Sequence, residues 1–126
     1  MTAPDTLTLY RPVGQQELDL IRETGWKRFP PRLQWQPIFY PVVTEDYAIK
    51  IARDWNTNDP NSGFVGYVLR FEVQRSYIER HEPHEAGGRD HVEYWIPSEE
   101  LEEFNDSIVG KIEVLREFRP DAKPSG

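Results

Sequence analysis

No cysteine occurs among the 126 residues. That excludes a disulfide framework, a thiolate nucleophile and a thiolate metal site, and it fits a reducing cytosol. Basic side chains are scarce: 15 Lys and Arg stand against 22 Asp and Glu, a formal charge of −7 that opposes non-specific binding to nucleic acid. No apolar run approaches membrane-spanning length. The first thirty residues lack a basic stretch followed by an apolar one, so a cytoplasmic protein with no membrane partner is expected. Neither common glycine-rich phosphate loop is present, and no serine sits in a nucleophile elbow. Three histidines are the only imidazoles, and Pro83 breaks the spacing between His81 and His84. A metal site from His84, Glu85 and His91 rests on no spacing rule, so none is expected.

What the chain does have is aromatic weight. Four Trp, six Tyr and six Phe accompany a single Met. Large rings can close a small core or line a pocket for a flat ligand. The length suits one domain over residues 1–126, ordered from about 7 to 118, with a frayed tail at 119–126.

Along the chain, Leu7 to Arg11 reads as a first strand ended by Pro12 and Gly14, with Leu7, Leu9 and Arg11 on one face. Gln15 to Thr24 reads as a short amphipathic helix stopped by Gly25. Residues 26–37 form a proline-rich aromatic loop with Trp26, Phe29 and Trp35. Ile38 to Val43 is a second strand that Pro41 assigns to an edge or a bulge. Thr44 caps a helix running past Tyr47, Ala48, Ile51 and Ala52 to Trp55, with Tyr47 and Trp55 in or near the core. A loop to Gly63 precedes a long strand from Phe64 to Val73, whose residues change face if a bulge falls at Gly66. Ser76 to Glu85 is ambiguous, readable as a turn plus a short strand, and Ala86-Gly87-Gly88 turns the chain. Strand 91–97, an acidic helix capped by Ser98, and a last strand over 111–118 follow. This order predicts an α+β domain of mostly antiparallel sheets with two to three short helices.

The most informative stretch is His91-Val92-Glu93-Tyr94-Trp95-Ile96-Pro97. Alternation sends Val92, Tyr94 and Ile96 one way and His91, Glu93 and Trp95 the other. A carboxylate between an imidazole and an indole is an unusual face for a purely structural strand. Arg11 closes a strand of otherwise apolar inward positions, so it either snorkels into a salt bridge or binds an anion with its planar fork. Glu93 could itself be that arginine's structural partner.

Leu9-Tyr10-Arg11, Phe39-Tyr40 through Thr44 with its following helix, and Glu93 on a late strand stand in an order that resembles the ADP-ribosyltransferase fold. The segments LYRPVG, FPPR, QPIFYPV, IARDWN and the run from WIP to IEV also resemble a group of small bacterial proteins with ADP-ribosylation-type names, over about residues 7 to 118. The resemblance implies NAD as substrate, cleavage of its nicotinamide–ribose bond, and transfer of ADP-ribose to an unknown macromolecular acceptor or to water. It assigns Arg11 to the NAD phosphate or ribose and Thr44 to support of the active-site strand and the arginine. Tyr40 or Tyr47 would flank nicotinamide, with His91 and Trp95 on the cofactor side. Glu93 would hold the ribose and stabilise the cationic sugar. Two positions depart from the arginine-specific class: its Ser-Thr-Ser element reads Val42-Val43-Thr44, and His91 stands two before the glutamate. The alternative is therefore a non-catalytic binding or regulatory module of a bacterial conflict system, whose acidic helix (Glu99, Glu100, Glu102, Glu103) either faces a basic partner or is simply a solvated face.

Overall fold

The computed structural model describes residues 5–32, 36–85 and 91–120. Trp35, the turn at Ala86-Gly87-Gly88 and the tail beyond 120 lie outside them. The elements run β1 (Thr6–Val13), α1 (Gln15–Glu23), β2 (Ile38–Phe39), α2 (Glu45–Asp54), β3 (Gly66–Gln74), α3 (Arg75–Ile78), β4 (His84–Glu85), β5 (Val92–Glu93), β6 (Ile96–Pro97), α4 (Leu101–Asp106) and β7 (Ile108–Phe118). The class is α+β, and every described strand pair is antiparallel.

One sheet has the order β1-β3-β7. It continues past β1 through single bridges from Tyr10 to Val42 and from Val42 to Glu93, and then to the β4–β5 pair. The second pairing, β2 with β6, is less separate than it looks. Ile38↔Pro97, Phe39↔Ile96 and Val42↔Glu93 share one register, and the Tyr94 N–H donates to the Pro41 carbonyl at 2.9 Å. The expected strands 38–43 and 91–97 therefore do run side by side. Pro41, which has no N–H to give, interrupts their ladder.

The two faces of the main sheet are packed differently. On one, Leu9, Val13, Leu69, Phe71 and Val73 meet Leu18 and Ile21 of α1, Leu101 and Phe104 of α4, and the loop residue Phe29. Phe29 lies 5.0 Å from Phe39 and 4.9 Å from Phe71, centroid to centroid, as tilted and edge-on rings. On the other face, Val42 and Val68 pack against Ala48 and Ala52 of α2, with Tyr10 and Tyr47 at the margin. Small residues let α2 approach closely. A Cβ at Gly66 would fall 2.3 Å from the Ala52 carbonyl oxygen, so Gly66 marks a close helix contact, and the conditional bulge does not fall there. The register shifts in β3 come later, at Val68/Leu69 and Arg70/Glu72.

Other sequence expectations are corrected too. Pro12 lies inside β1, at a position flanked among the described residues only by β3, and does not end the strand. Trp55 is 69% exposed rather than part of the core, because α2 ends at Asp54 and the ring falls beyond its buried stripe. Ser98 opens a 3-10 turn, Ser98–Glu100, without a side-chain cap. Thr44 does cap α2, its hydroxyl accepting the Tyr47 N–H at 3.2 Å.

Candidate functional site

The sequence-predicted residues fall into two places. In antiparallel pairing, opposed residues share a face, so Tyr10, Val42 and Glu93 project together. Arg11, next to Tyr10, projects from the other side and packs in the aromatic core. Its guanidinium lies 4.5 Å from the Phe39 ring centroid, while Tyr47 at the α2 margin reaches Glu93. Arg11 and Glu93 are therefore not brought together.

Glu93 is half-buried. Its Oε1 accepts the Tyr47 hydroxyl at 2.9 Å and its Oε2 accepts the Trp95 indole N–H at 2.7 Å. Burial, followed by the hydrogen bond to Glu93, pushes the Tyr47 phenol up to about 12, so it remains a donor. His91 stacks on Tyr47 at 4.5 Å and His84 stacks on Trp95 at 3.9 Å. Tyr40 meets Trp95 at 87° with centroids 6.3 Å apart, as the shared strand register places those two residues opposite one another. Thr44 serves this side of the sheet: by capping α2 it fixes the turn that carries Tyr47. The predicted Glu93, Thr44, Tyr40, Tyr47, His91 and Trp95 thus form one neighbourhood. No group of three potential metal ligands occurs among the described residues.

Arg11 belongs to a cavity of about 620 Å³ lined by the end of β1, α1, the proline loop and the segment that follows α2. Glu17 of α1 grips its fork, accepting from Nε at 2.6 Å and Nη2 at 3.0 Å, while Nη1 lies 3.4 Å from the Tyr40 carbonyl oxygen. The salt-bridge alternative for Arg11 is realised, with Glu17 and not Glu93 as its partner. Arg32 shares the cavity and the Phe39 ring, at 5.7 Å. It forms no ion pair or hydrogen bond with a described residue, and its buried Nε lacks an acceptor. Burial, then repulsion from Arg11, lowers its pKa below the ordinary arginine value. Trp55, Asn56, Asp59, Asn61 and Ser62 form the far wall. Asp59 is committed there, accepting from the Asn61 N–H and the Ser62 hydroxyl, each at 3.0 Å.

Arg32 and Glu17 were missed as site residues. Arg32 follows two prolines that stiffen its approach, but only the fold shows that it points beside Arg11. The acidic helix also reads differently in three dimensions. Glu100 accepts from Tyr77, Glu102 pairs with Arg28, and Glu103 pairs with Arg80, so most of that face is engaged within the chain. No described helix is long and apolar enough to cross a membrane. No family model, curated protein or solved structure matches this chain.

Proposed function

We propose that the protein is a ligand-binding domain that takes a phosphate- or carboxylate-bearing small molecule in the Arg11–Arg32 cavity. The observation that carries this reading is Arg32: a half-buried guanidinium without a hydrogen-bond partner among the described residues, beside a second arginine already neutralised by Glu17. A buried cation without a counter-ion is costly, and a bound anion offsets that cost. Arginine's planar fork suits the oxygens of a phosphate.

The ADP-ribosyltransferase resemblance enters as the choice of ligand. NAD and ADP-ribose carry the required pyrophosphate, and the first-strand arginine of that superfamily corresponds to Arg11, which lines the cavity. Binding without transfer is the favoured form of the proposal, because Glu93 projects from the other side of the sheet from Arg11 and does not line the cavity. This is the non-catalytic alternative, with the ligand cavity in place of the acidic helix as its recognition surface.

Calorimetry with NAD, ADP-ribose and inorganic pyrophosphate tests the reading, with Arg32→Gln as the variant. Saturable binding that weakens about tenfold or more in Arg32→Gln is expected, since a hydrogen bond to a charged group contributes about 1.5–3 kcal/mol. Equal binding by the variant, or no binding of any of the three, sinks the proposal. Release of nicotinamide from NAD that vanishes in Glu93→Ala would replace the binding-only reading with the transferase.

A further inference from the structure

Glu93 presents the opposite imbalance from Arg32. It is a half-buried carboxylate that forms no ion pair with a described residue; its hydrogen-bond partners are the neutral Tyr47 hydroxyl and Trp95 indole. Rings surround it: Tyr47 backed by His91, Trp95 backed by His84, and Tyr40 set at 87° to Trp95. The outer two remain open, with Trp95 45% and Tyr40 41% exposed. Their openness is a consequence of register. Tyr40 and Trp95 are the preceding pair on the same face of the interrupted ladder as Val42 and Glu93, so the carboxylate, bonded to the Trp95 indole, shares that face with an edge-to-face ring pair.

We propose that Glu93, Tyr40 and Trp95 form a binding site for an organic cation, an alkylammonium or guanidinium group. Ring faces attract cations through their quadrupoles, and a carboxylate beside them adds a charge that no described residue matches with an ion pair. The ring walls favour a weakly hydrated organic cation over a metal ion. Both carboxylate oxygens already accept a hydrogen bond, and the described residues supply no further oxygen or nitrogen ligand set. The two imidazoles do not fill the role from within. Each lies flat against a ring, at 10° or 14°, and neither donates to Glu93. Holding the carboxylate by two donors from different elements, α2 and the segment after β5, fixes it in place before any ligand arrives.

This site shares no lining residue with the arginine cavity and does not depend on it. The cation could be a free small molecule or a side chain of another protein, and the experiment separates the two. Choline and its neutral isostere 3,3-dimethylbutan-1-ol are titrated into the protein while the Trp95 indole N–H is followed by NMR, its signal assigned through Trp95→Phe. A saturable shift with choline is expected, with the neutral isostere at least about tenfold weaker. A similar loss is expected in Glu93→Gln and in Tyr40→Ala, whose exposed ring can be removed without disturbing the core. Arg32→Gln should bind choline normally. Short peptides carrying trimethyllysine or arginine form the second arm. Binding tighter than choline assigns the site to a protein partner, and binding no tighter assigns it to a free cation. Equal binding of the neutral isostere, undiminished binding by Glu93→Gln and Tyr40→Ala, or no saturable response to choline and to both peptides overturns the proposal.

Discussion

The Tyr47 hydroxyl donates to Glu93 Oε1 at 2.9 Å across a sequence separation of 46 residues. It joins the first turn of α2 to the short strand β5, and it ties the capping role of Thr44 to the orientation of the carboxylate. The bond also has a pH signature. Tyr47 titrates near 10 when unfolded and is raised to about 12 when folded, so the folded state favours the protonated phenol. Its contribution to stability is complete below pH 10 and is lost as pH rises through 12. Tyr47→Phe should lower stability by about 1 kcal/mol at neutral pH. The gap between wild type and variant should then close between those two pH values, as read by urea unfolding at stepped pH. A gap that stays constant would show that the hydroxyl is not the titrating group.

Arg11 and Glu17 form the enclosed ion pair of the arginine cavity, with side chains 10% and 20% exposed. Removing one partner leaves the other charge poorly solvated, whereas removing both removes the problem. Glu17→Leu alone should cost about 3 kcal/mol, and Arg11→Met alone a similar amount. The double variant should cost clearly less than the sum of the two, giving a coupling of about 2 kcal/mol by chemical denaturation. Additive losses would mean that the contact is geometric only.

The two strands that meet at Val42 and Glu93 show what the sequence could and could not reveal. Period-two alternation put Glu93 and Trp95 on one face and Tyr94 and Ile96 on the other. That division holds, because side-chain direction follows from local backbone geometry. The Thr44 cap and the positive φ of Gly25, 78°, were legible for the same reason. Which face Arg11 shares with Glu93 was not. That relation depends on Tyr10 pairing with Val42, a contact between segments distant in the chain, and no local pattern encodes it. Trp55 failed differently: helical spacing suggested burial, yet the helix stops one residue earlier. Arg32 was hidden because its lack of a hydrogen-bond partner among the described residues is a property of the folded surroundings and not of its neighbours in sequence.

Gly66 offers a test of how closely α2 rides on β3. A Cβ there would lie 2.3 Å from the Ala52 oxygen and 2.8 Å from the Ala52 carbonyl carbon, both backbone atoms that cannot rotate away. Gly66→Ala should therefore destabilise the protein by about 1–3 kcal/mol, the usual cost of overpacking. Because α2 carries Tyr47, the helix shift should also loosen the bond to Glu93 and move the phenol back toward its ordinary range. A thermal melt combined with an ultraviolet phenolate titration reads both effects. Loss of stability with an unmoved Tyr47 titration would separate the packing of α2 from the geometry of the carboxylate.

Asn105 gives the sharpest test of how the aromatic loop is held. Its side chain is buried, 3% exposed, and makes both amide hydrogen bonds to one residue. The Phe29 N–H donates to Oδ1 at 2.9 Å, and Nδ2 donates to the Phe29 carbonyl at 3.0 Å. A single side chain of α4 thereby satisfies both backbone polar groups of a loop residue whose ring sits at the centre of the core. Pro30 and Pro31 follow and have no N–H of their own, so this clamp sets how the chain enters the segment bearing Arg32. Asn105→Ala removes both partners and leaves two buried backbone groups unpaired, a loss of about 2–4 kcal/mol. Asn105→Asp keeps the acceptor but cannot donate to the Phe29 carbonyl, and it adds a charge in an enclosed place, so it should be no better than alanine at neutral pH. Amide hydrogen exchange at Phe29 checks the mechanism directly: protection should fall in both variants ahead of global unfolding. If exchange there only follows the global loss of stability, Asn105 supports the core in general and does not clamp this loop.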